Sequence, residues 1–270
     1  MVPPRSGSAA GMRSRGPVEL NVNLAKTYEI RGPKSPMPRS PLRDVAAHED
    51  RVAARASYED RLDGAIHVLR TEANALMALT QLYSSERVCR DGFYRSIEAL
   101  SRHRDHRGKV VFIGVGKSGW IAKKLTATFS SLGLPAVFLH PTEALHGDLG
   151  VVGEHDTLIM ITFSGKTPEL MLLLPHLSRK CPLILLTSPT TMETCEIAKQ
   201  RPDLILLPAP IPESEKDTFG VSAPTTSTTM AIAVGDALAY VASKEMYPSV
   251  SAVFAKNHPG GAIGQAFKGK

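Results

Sequence analysis

The chain has 270 residues, 43% of them hydrophobic, enough for one packed domain or one domain with a long extension. Its formal net charge of +6 is unevenly spread: residues 1–57 hold ten Lys and Arg against five Asp and Glu, and the rest of the chain holds 22 against 21. The nearly neutral remainder excludes a basic nucleic-acid-binding face, and no apolar run is long enough to cross a bilayer or to form a secretory core.

Residues 1–57 read as a disordered Pro- and Arg-rich tail. Pro3, Pro4, Pro17, Pro33, Pro36, Pro38 and Pro41 interrupt any helix, and apolar residues recur with no useful period. The Arg-rich, acid-poor start has the composition of a mitochondrial signal, yet its prolines with Gly7 and Gly11 oppose the amphipathic helix such a signal requires. A solvated tail is the better account. Ser35-Pro36 and Ser40-Pro41 are weak phosphoacceptor hints. Residues 58–270 read as one folded domain.

From about Tyr58 the pattern is helical, with Leu62, Ile66, Leu69, Ala73, Leu76, Leu79 and Leu82 on one face at three- and four-residue steps. A second helix, roughly 91–103, turns Phe93, Ile97 and Leu100 inward. Helices this apolar ahead of the first strand must pack on a sheet or on a partner subunit. Strands follow at 110–115, 136–140, 157–163, 182–187 and 204–208, most of them separated by helices near 119–132, 167–180 and 191–200. A long helix closes the pattern over 226–244. Short apolar strands with crossover helices predict an α/β fold, a five-stranded parallel sheet flanked by helices.

The first strand runs into Gly114-Val115-Gly116-Lys117-Ser118-Gly119 and then a helix. That arrangement aims free backbone N–H groups and the positive helix end at an anion. It is not a P-loop, because Val111 stands where the first glycine is required. Gly114, Gly116 and Gly119 satisfy G-x-G-x-x-G, but the second strand ends in His140-Pro141 without the acid that holds a ribose. A discrete phosphate fits better than a dinucleotide. Other chemistry collects at the same predicted edge: His146 after strand two, Ser164-Gly165-Lys166-Thr167-Pro168-Glu169 after strand three, Glu213 to Asp217 after strand five, and Thr225 to Thr229 at a helix start. Ser and Thr at helix starts are singly ordinary caps. Together with the Gly-Lys-Ser turn they suit a phosphate, which is met best by several converging donors.

These motifs resemble the sugar isomerase (SIS) domain of arabinose-5-phosphate isomerases, the KpsF/GutQ group, over nearly four-fifths of the chain. They are Gly114-x-Gly-Lys-Ser-Gly119, Ala144-x-His-Gly-Asp-Leu-Gly150, Ser164-Gly165, Ala223-Pro-Thr-Thr-Ser-Thr-Thr229, Gly235-Asp-Ala-Leu238 and His258-Pro-Gly-Gly261, in family order. The resemblance implies an SIS three-layer sandwich, a homo-oligomer (dimer or tetramer) in the cytoplasm, a phosphorylated sugar as ligand, and no metal, cofactor or nucleic acid. It implies interconversion of D-arabinose 5-phosphate and D-ribulose 5-phosphate through an enediol(ate). By position Lys117, His146, Glu169, Glu215 and His258 are the catalytic set. Glu215, Glu169 and His258 share the acid–base work, while Lys117 and His146 stabilise the oxyanion and position the sugar. Gly116, Ser118, Ser164, Gly165, Thr167, Thr225, Thr226, Ser227, Thr228 and Thr229 hold phosphate and hydroxyls.

The residues also admit plainer roles. Glu169 in a first helical turn favours the helix dipole without catalysis, and Glu215 lies among charges that suit a solvated loop. The run from Glu215 to Ser222 is one residue longer than the family's, Lys166 replaces an acidic or small polar residue, and paired CBS domains are absent. A non-catalytic phosphosugar-binding or regulatory protein, or an isomerase of another sugar phosphate, is therefore the alternative. His140, Cys181 and Cys195 read as structural. Three cysteines without metal-ligand spacing suit a reducing compartment.

Overall fold

The computed structural model describes residues 41–260 apart from His106. The chain divides into two compact units, Met1–Arg55 and Ala56–Lys270. The described part of the first unit is the opening of helix α1 (Pro41–Ser85). That start corrects the expectation of a disordered tail for residues 41–57, and residues 1–40 of that expectation lie outside the described residues. Beyond Pro41 the chain carries no proline or glycine until Gly64, and residues 42–57 include five alanines and three arginines. These are good helix formers, and Pro41 with its fixed φ suits a first helical position. Both Ser-Pro pairs begin in residues 1–40, outside the described residues.

In the second unit, α1 is followed by α2 (Arg87–Ser101), β1 (Val110–Ile113), α3 (Gly116–Ser131), β2 (Ala136–Leu139), α4 (Pro141–Ala144) and β3 (Thr157–Ile161). Then come α5 (Pro168–Leu173), β4 (Leu183–Thr187), α6 (Glu196–Gln200), β5 (Ile205–Pro208), α7 (Glu215–Phe219), α8 (Thr226–Met246) and α9 (Val250–Asn257). The strands pair in parallel in the order β2-β1-β3-β4-β5. Successive strand side chains point to opposite faces, and both faces are apolar, as a sheet covered on each side requires. Val110, Phe112, Ile159, Ile184 and Leu207 face a core closed by α2, α3 and α8. Val111, Ile113, Leu158, Leu185 and Leu206 face a second core closed by α4, α5 and α6. The expected three-layer α/β sandwich is observed.

α1 packs on the sheet along only part of its expected apolar face. It turns Ala75 and Leu79 into the first core, whereas Leu62, Ile66, Leu69 and Leu76 stay exposed. The apolar stripe read from the sequence therefore points largely away from the sheet.

The amino edge of the sheet is held by a buried polar network. Asp156 accepts from the backbone N–H of Lys109 (2.9 Å), Lys109 Nζ (2.7 Å) and the N–H of Gly153 (2.8 Å). Burial alone would raise this carboxyl, but its bonds to Lys109 and Gly153 outweigh burial and hold it below the ordinary carboxylate value. His103, 1% exposed, places Nδ1 3.2 Å from the Arg107 carbonyl and Nε2 3.0 Å from Thr157 Oγ1. Thr157 Oγ1 also donates its one proton to the Ala99 carbonyl at 3.1 Å, so the single proton of a neutral imidazole serves either the Arg107 carbonyl or Thr157 Oγ1. Burial, the largest influence, lowers the His103 pKa.

Candidate active site

At the carboxyl edge the strand order reverses between β1 and β3, where a ligand crevice is expected in an open parallel sheet. A cleft of about 550 Å³ opens there. Its apolar floor includes Ile121, Ile161, Leu186 and Ile211, and its polar rim includes Lys117, Ser118, Thr187, Ser188, Glu215 and Lys216. Neither Lys117 nor Lys216 makes an ion pair with the described residues. The cleft thus offers two ammonium groups and several hydroxyls to an anionic, hydroxylated ligand.

Lys117 and Ser118 lie in the first turn of α3, which begins at Gly116 rather than at the expected residue 119. Val115, in extended conformation, is the N-cap. The turn is tight enough that a Cβ on Gly114 would sit 2.8 Å from the Ser118 carbonyl oxygen, so glycine is required at that position.

Glu215 opens α7 and is 8% exposed. Its Oε1 accepts from Thr225 N (2.7 Å), Ser227 N (3.0 Å) and Ser227 Oγ (2.7 Å). All three donors belong to the start of α8, so the carboxylate caps that helix while its other oxygen accepts nothing from the described residues. A solvated loop residue is excluded for Glu215. Of the hydroxyl run 225–229, expected to hold phosphate and sugar hydroxyls, those of Ser227, Thr228 and Thr229 donate within the chain instead. Thr225 and Ser227 give their donors to Glu215, and Thr228 and Thr229 bond the Thr225 carbonyl at 2.7 and 3.2 Å. Thr225 Oγ1 and Thr226 Oγ1 are buried without partners. Of the run, Ser227 and Thr228 line the cleft.

The Ser-Gly loop after β3 borders the cleft through Thr162 and Phe163 rather than through Ser164, Gly165 or Thr167. Thr167 stands at the N-cap position of α5 without a side-chain capping bond, and its hydroxyl lies 2.7 Å from that of Thr162, fastening the loop to the strand end. Gly165 has φ +65°, and a Cβ there would lie 2.6 Å from Cys195 Sγ. Ser164 is exposed and accepts from Lys166 N at 3.4 Å. Glu169 is half-buried in the first turn of α5, outside the cleft lining.

Two expected histidines do not reach the cleft. His146 is exposed in the turn after α4 at the edge strand β2. His258 follows α9, stacked on Phe254 with ring centroids 3.9 Å apart. Its Nδ1 donates to the Phe254 carbonyl (2.7 Å), and its Nε2 lies 3.4 Å from Ser131 Oγ. Ser131 ends α3 at the amino edge, about 24 Å of helix from Gly116. Within one chain His258 therefore shares no acid–base work with Glu215, a correction to the expected catalytic set.

Lys216, Thr187 and Ser188 were not among the expected residues. Thr187 is the last residue of β4 and Ser188 follows it, so in sequence the pair looks like an ordinary strand end and gave no signal. For Lys216 the adjacent Glu215 was the only sequence pointer.

Comparison with known proteins places this architecture. Residues 104–241 match the SIS domain family. The chain belongs to that family. A protein of Escherichia coli CFT073 solved in complex with arabinose 5-phosphate superposes with a TM-score of 0.62, at 37% identity over 74% of this chain and 98% of that one. The arabinose 5-phosphate isomerase KdsD of Yersinia pestis is 40% identical over 198 residues, 73% of this chain and 56% of that protein. The arabinose 5-phosphate isomerase KpsF of Escherichia coli is 38% identical over 161 residues, 59% of this chain and 48% of that protein. The chain spans about half the length of the curated relatives it matches. Among the described residues of this SIS chain, no helix is long and apolar enough to cross a membrane.

Proposed function

We propose that this SIS chain is a phosphosugar aldose–ketose isomerase that interconverts D-arabinose 5-phosphate and D-ribulose 5-phosphate. The observation that carries the proposal is Glu215, a carboxylate in the cleft lining that is anchored through one oxygen while the other accepts nothing from the described residues, with Lys117 and Lys216 in the same lining. An aldose–ketose exchange needs a base that takes a proton from the carbon beside a carbonyl and returns it to the neighbouring carbon. Glu215 has the chemistry for that step. An ammonium group at Lys117 would stabilise the enediolate oxygen as charge develops. Lys216 and the hydroxyls of Ser118, Thr187 and Ser188 would bind phosphate and sugar. Glu169, His146 and His258 stand outside this core set in the single chain, and any part that they take in the reaction would require a second copy or a moved loop.

The proposal extends to a homo-oligomer working in the cytoplasm, to which three buried free cysteines are suited. Likeness to the neighbour solved with arabinose 5-phosphate and to the named isomerases supports the substrate. A second reading rests on one observation: the capping bonds of Glu215 would serve a non-catalytic phosphosugar-binding protein equally well. One experiment separates the two. The full chain is incubated with D-arabinose 5-phosphate and EDTA, and D-ribulose 5-phosphate is followed. Turnover at enzymatic rates is the expected outcome. Thermal stabilisation by the sugar phosphate without turnover would establish the binding protein instead.

A further inference from the structure

Helices α3 and α8 run in the same direction from the carboxyl edge, and the cleft includes the gap between their first turns. Lys117 and Ile121 line it from α3, and Ser227 and Ala231 from α8, each pair four residues apart on one helix face. One further step of four reaches Leu125 and Gly235, and there the gap closes. A Cβ on Gly235 would lie 2.6 Å from Leu125 Cδ2 and 3.1 Å from its Cγ, too close for unbonded carbons. Leu125 is 0% exposed within the first core, so it moves only at the expense of its neighbours.

Contacts farther along fix the register of the two helices. Lys124 pairs with Asp236, Ser243 Oγ donates to the Leu132 carbonyl (2.8 Å) and the Tyr247 hydroxyl to the Gly133 carbonyl (2.6 Å), partners that stand 111 to 114 positions apart. Leu125 and Gly235 share nearly this offset, and so do Lys117 and Ser227. Ser227 supplies two of the three bonds that anchor Glu215. Lys117 and Ser227 each stand about 12 Å of helix before the close approach. With the far ends tied, a side chain wedged against Leu125 opens the near ends, which carry the ammonium group and the anchored carboxylate. We propose that Gly235 is a positioning residue, which lets α3 and α8 close far enough for Lys117 and Glu215 to act on one substrate. Gly235 itself does not line the cleft. The inference rests on the proposed reaction and gives a task to the Gly235-Asp236 motif.

The test is a series in the full chain, with kcat for arabinose 5-phosphate measured well below each melting temperature. Gly235→Ala should lower kcat about tenfold or more. Combining it with Leu125→Val, and in a further variant with Leu125→Ala, makes room for the new methyl group. Turnover should recover in that order, to within about threefold of wild type with Leu125→Ala. The second and third members still read the effect if Gly235→Ala alone does not fold. Ser243→Ala is the control for stability, because it loosens the same seam about 24 Å of helix from Ser227. It should lower the melting temperature and leave kcat unchanged. Gly235→Ala with wild-type kcat, a kcat that does not rise as residue 125 shrinks, or a fall in kcat in Ser243→Ala overturns the proposal. A wild-type chain without turnover overturns the reaction instead. The seam is then read by affinity for arabinose 5-phosphate, which Gly235→Ala should weaken about threefold and Leu125→Ala restore. An affinity unmoved across that series overturns the positioning as well.

Discussion

Glu215 works at two places with one carboxylate. Oε1 closes the start of α8 and the other oxygen accepts nothing from the described residues, so in the proposed reaction the bonds that stabilise the helix would also aim the base. Glu215→Gln keeps an acceptor oxygen for α8 but cannot take a proton at working pH. We expect kcat to fall by about 10³, with sugar-phosphate binding retained in a thermal-shift assay. Lys117→Ala should lower turnover comparably while leaving the circular-dichroism spectrum unchanged. Ser227→Ala removes one of the three anchoring bonds. It should lower stability by about 1–2 kcal/mol and kcat by about tenfold with little change in KM, and Ser227→Thr should recover much of both. A fall in KM-side binding alone would return Ser227 to the phosphate-holding role its sequence suggests. Placement of Glu215 at the carboxyl edge was legible from its position after the last strand. Its partner was not, because a hydroxyl at a helix start looks the same in sequence whether it meets a phosphate or a carboxylate twelve residues upstream.

Among the elements, the strands were the most legible. Each is a short apolar run, and four of the five loops that follow them show their chemistry in sequence; the loop after β4 does not, because Thr187-Ser188 looks like the ordinary end of a strand. Helix limits were less legible. The prolines of residues 1–40 obscure the helix-forming stretch beyond Pro41. No spacing rule tells which end of the sheet a segment such as 257–260 returns to, so sequence alone could not set His258 at the amino edge. The amino-edge network carries a pH prediction. His103 has a folded pKa below its ordinary value near 6.5, so its contribution is complete above that value and is lost as pH falls through it. Asp156 is depressed likewise and adds a second loss below its ordinary value near 3.8. The melting temperature should be flat from pH 8 to 7, fall below about 6.5, and fall again in strong acid. His103→Gln, which keeps polar atoms without a titrating ring, should flatten the first of these falls. A variant that keeps the full pH 6.5 to 5 slope would place the titrating group elsewhere.

For the whole molecule, the two apolar cores and the cleft lie between Ala75 and Ala242 among the described residues. Removing residues 1–40 should therefore leave melting temperature and turnover unchanged, whereas a chain started at residue 58 begins in mid-helix and should fray at its first turns. Comparative melting of the two truncations checks this. The approximate half-length match to the curated relatives fits the placement of all cleft residues within the SIS unit, and a chain trimmed to residues 41–270 that lost turnover would show that the site extends beyond it.

The double duty of Glu215 also bears on descent. A lineage that abandoned catalysis would ordinarily be free to replace its base, but here replacement unfastens α8, whose Met230, Val234 and Leu238 fill the core. Selection for a folded protein alone would preserve the glutamate. Descendants that only bind sugar phosphates would then keep it beside a changed cleft, and divergence from enzyme to sensor would be recorded first at Lys117 and Lys216, whose side chains bond none of the described residues.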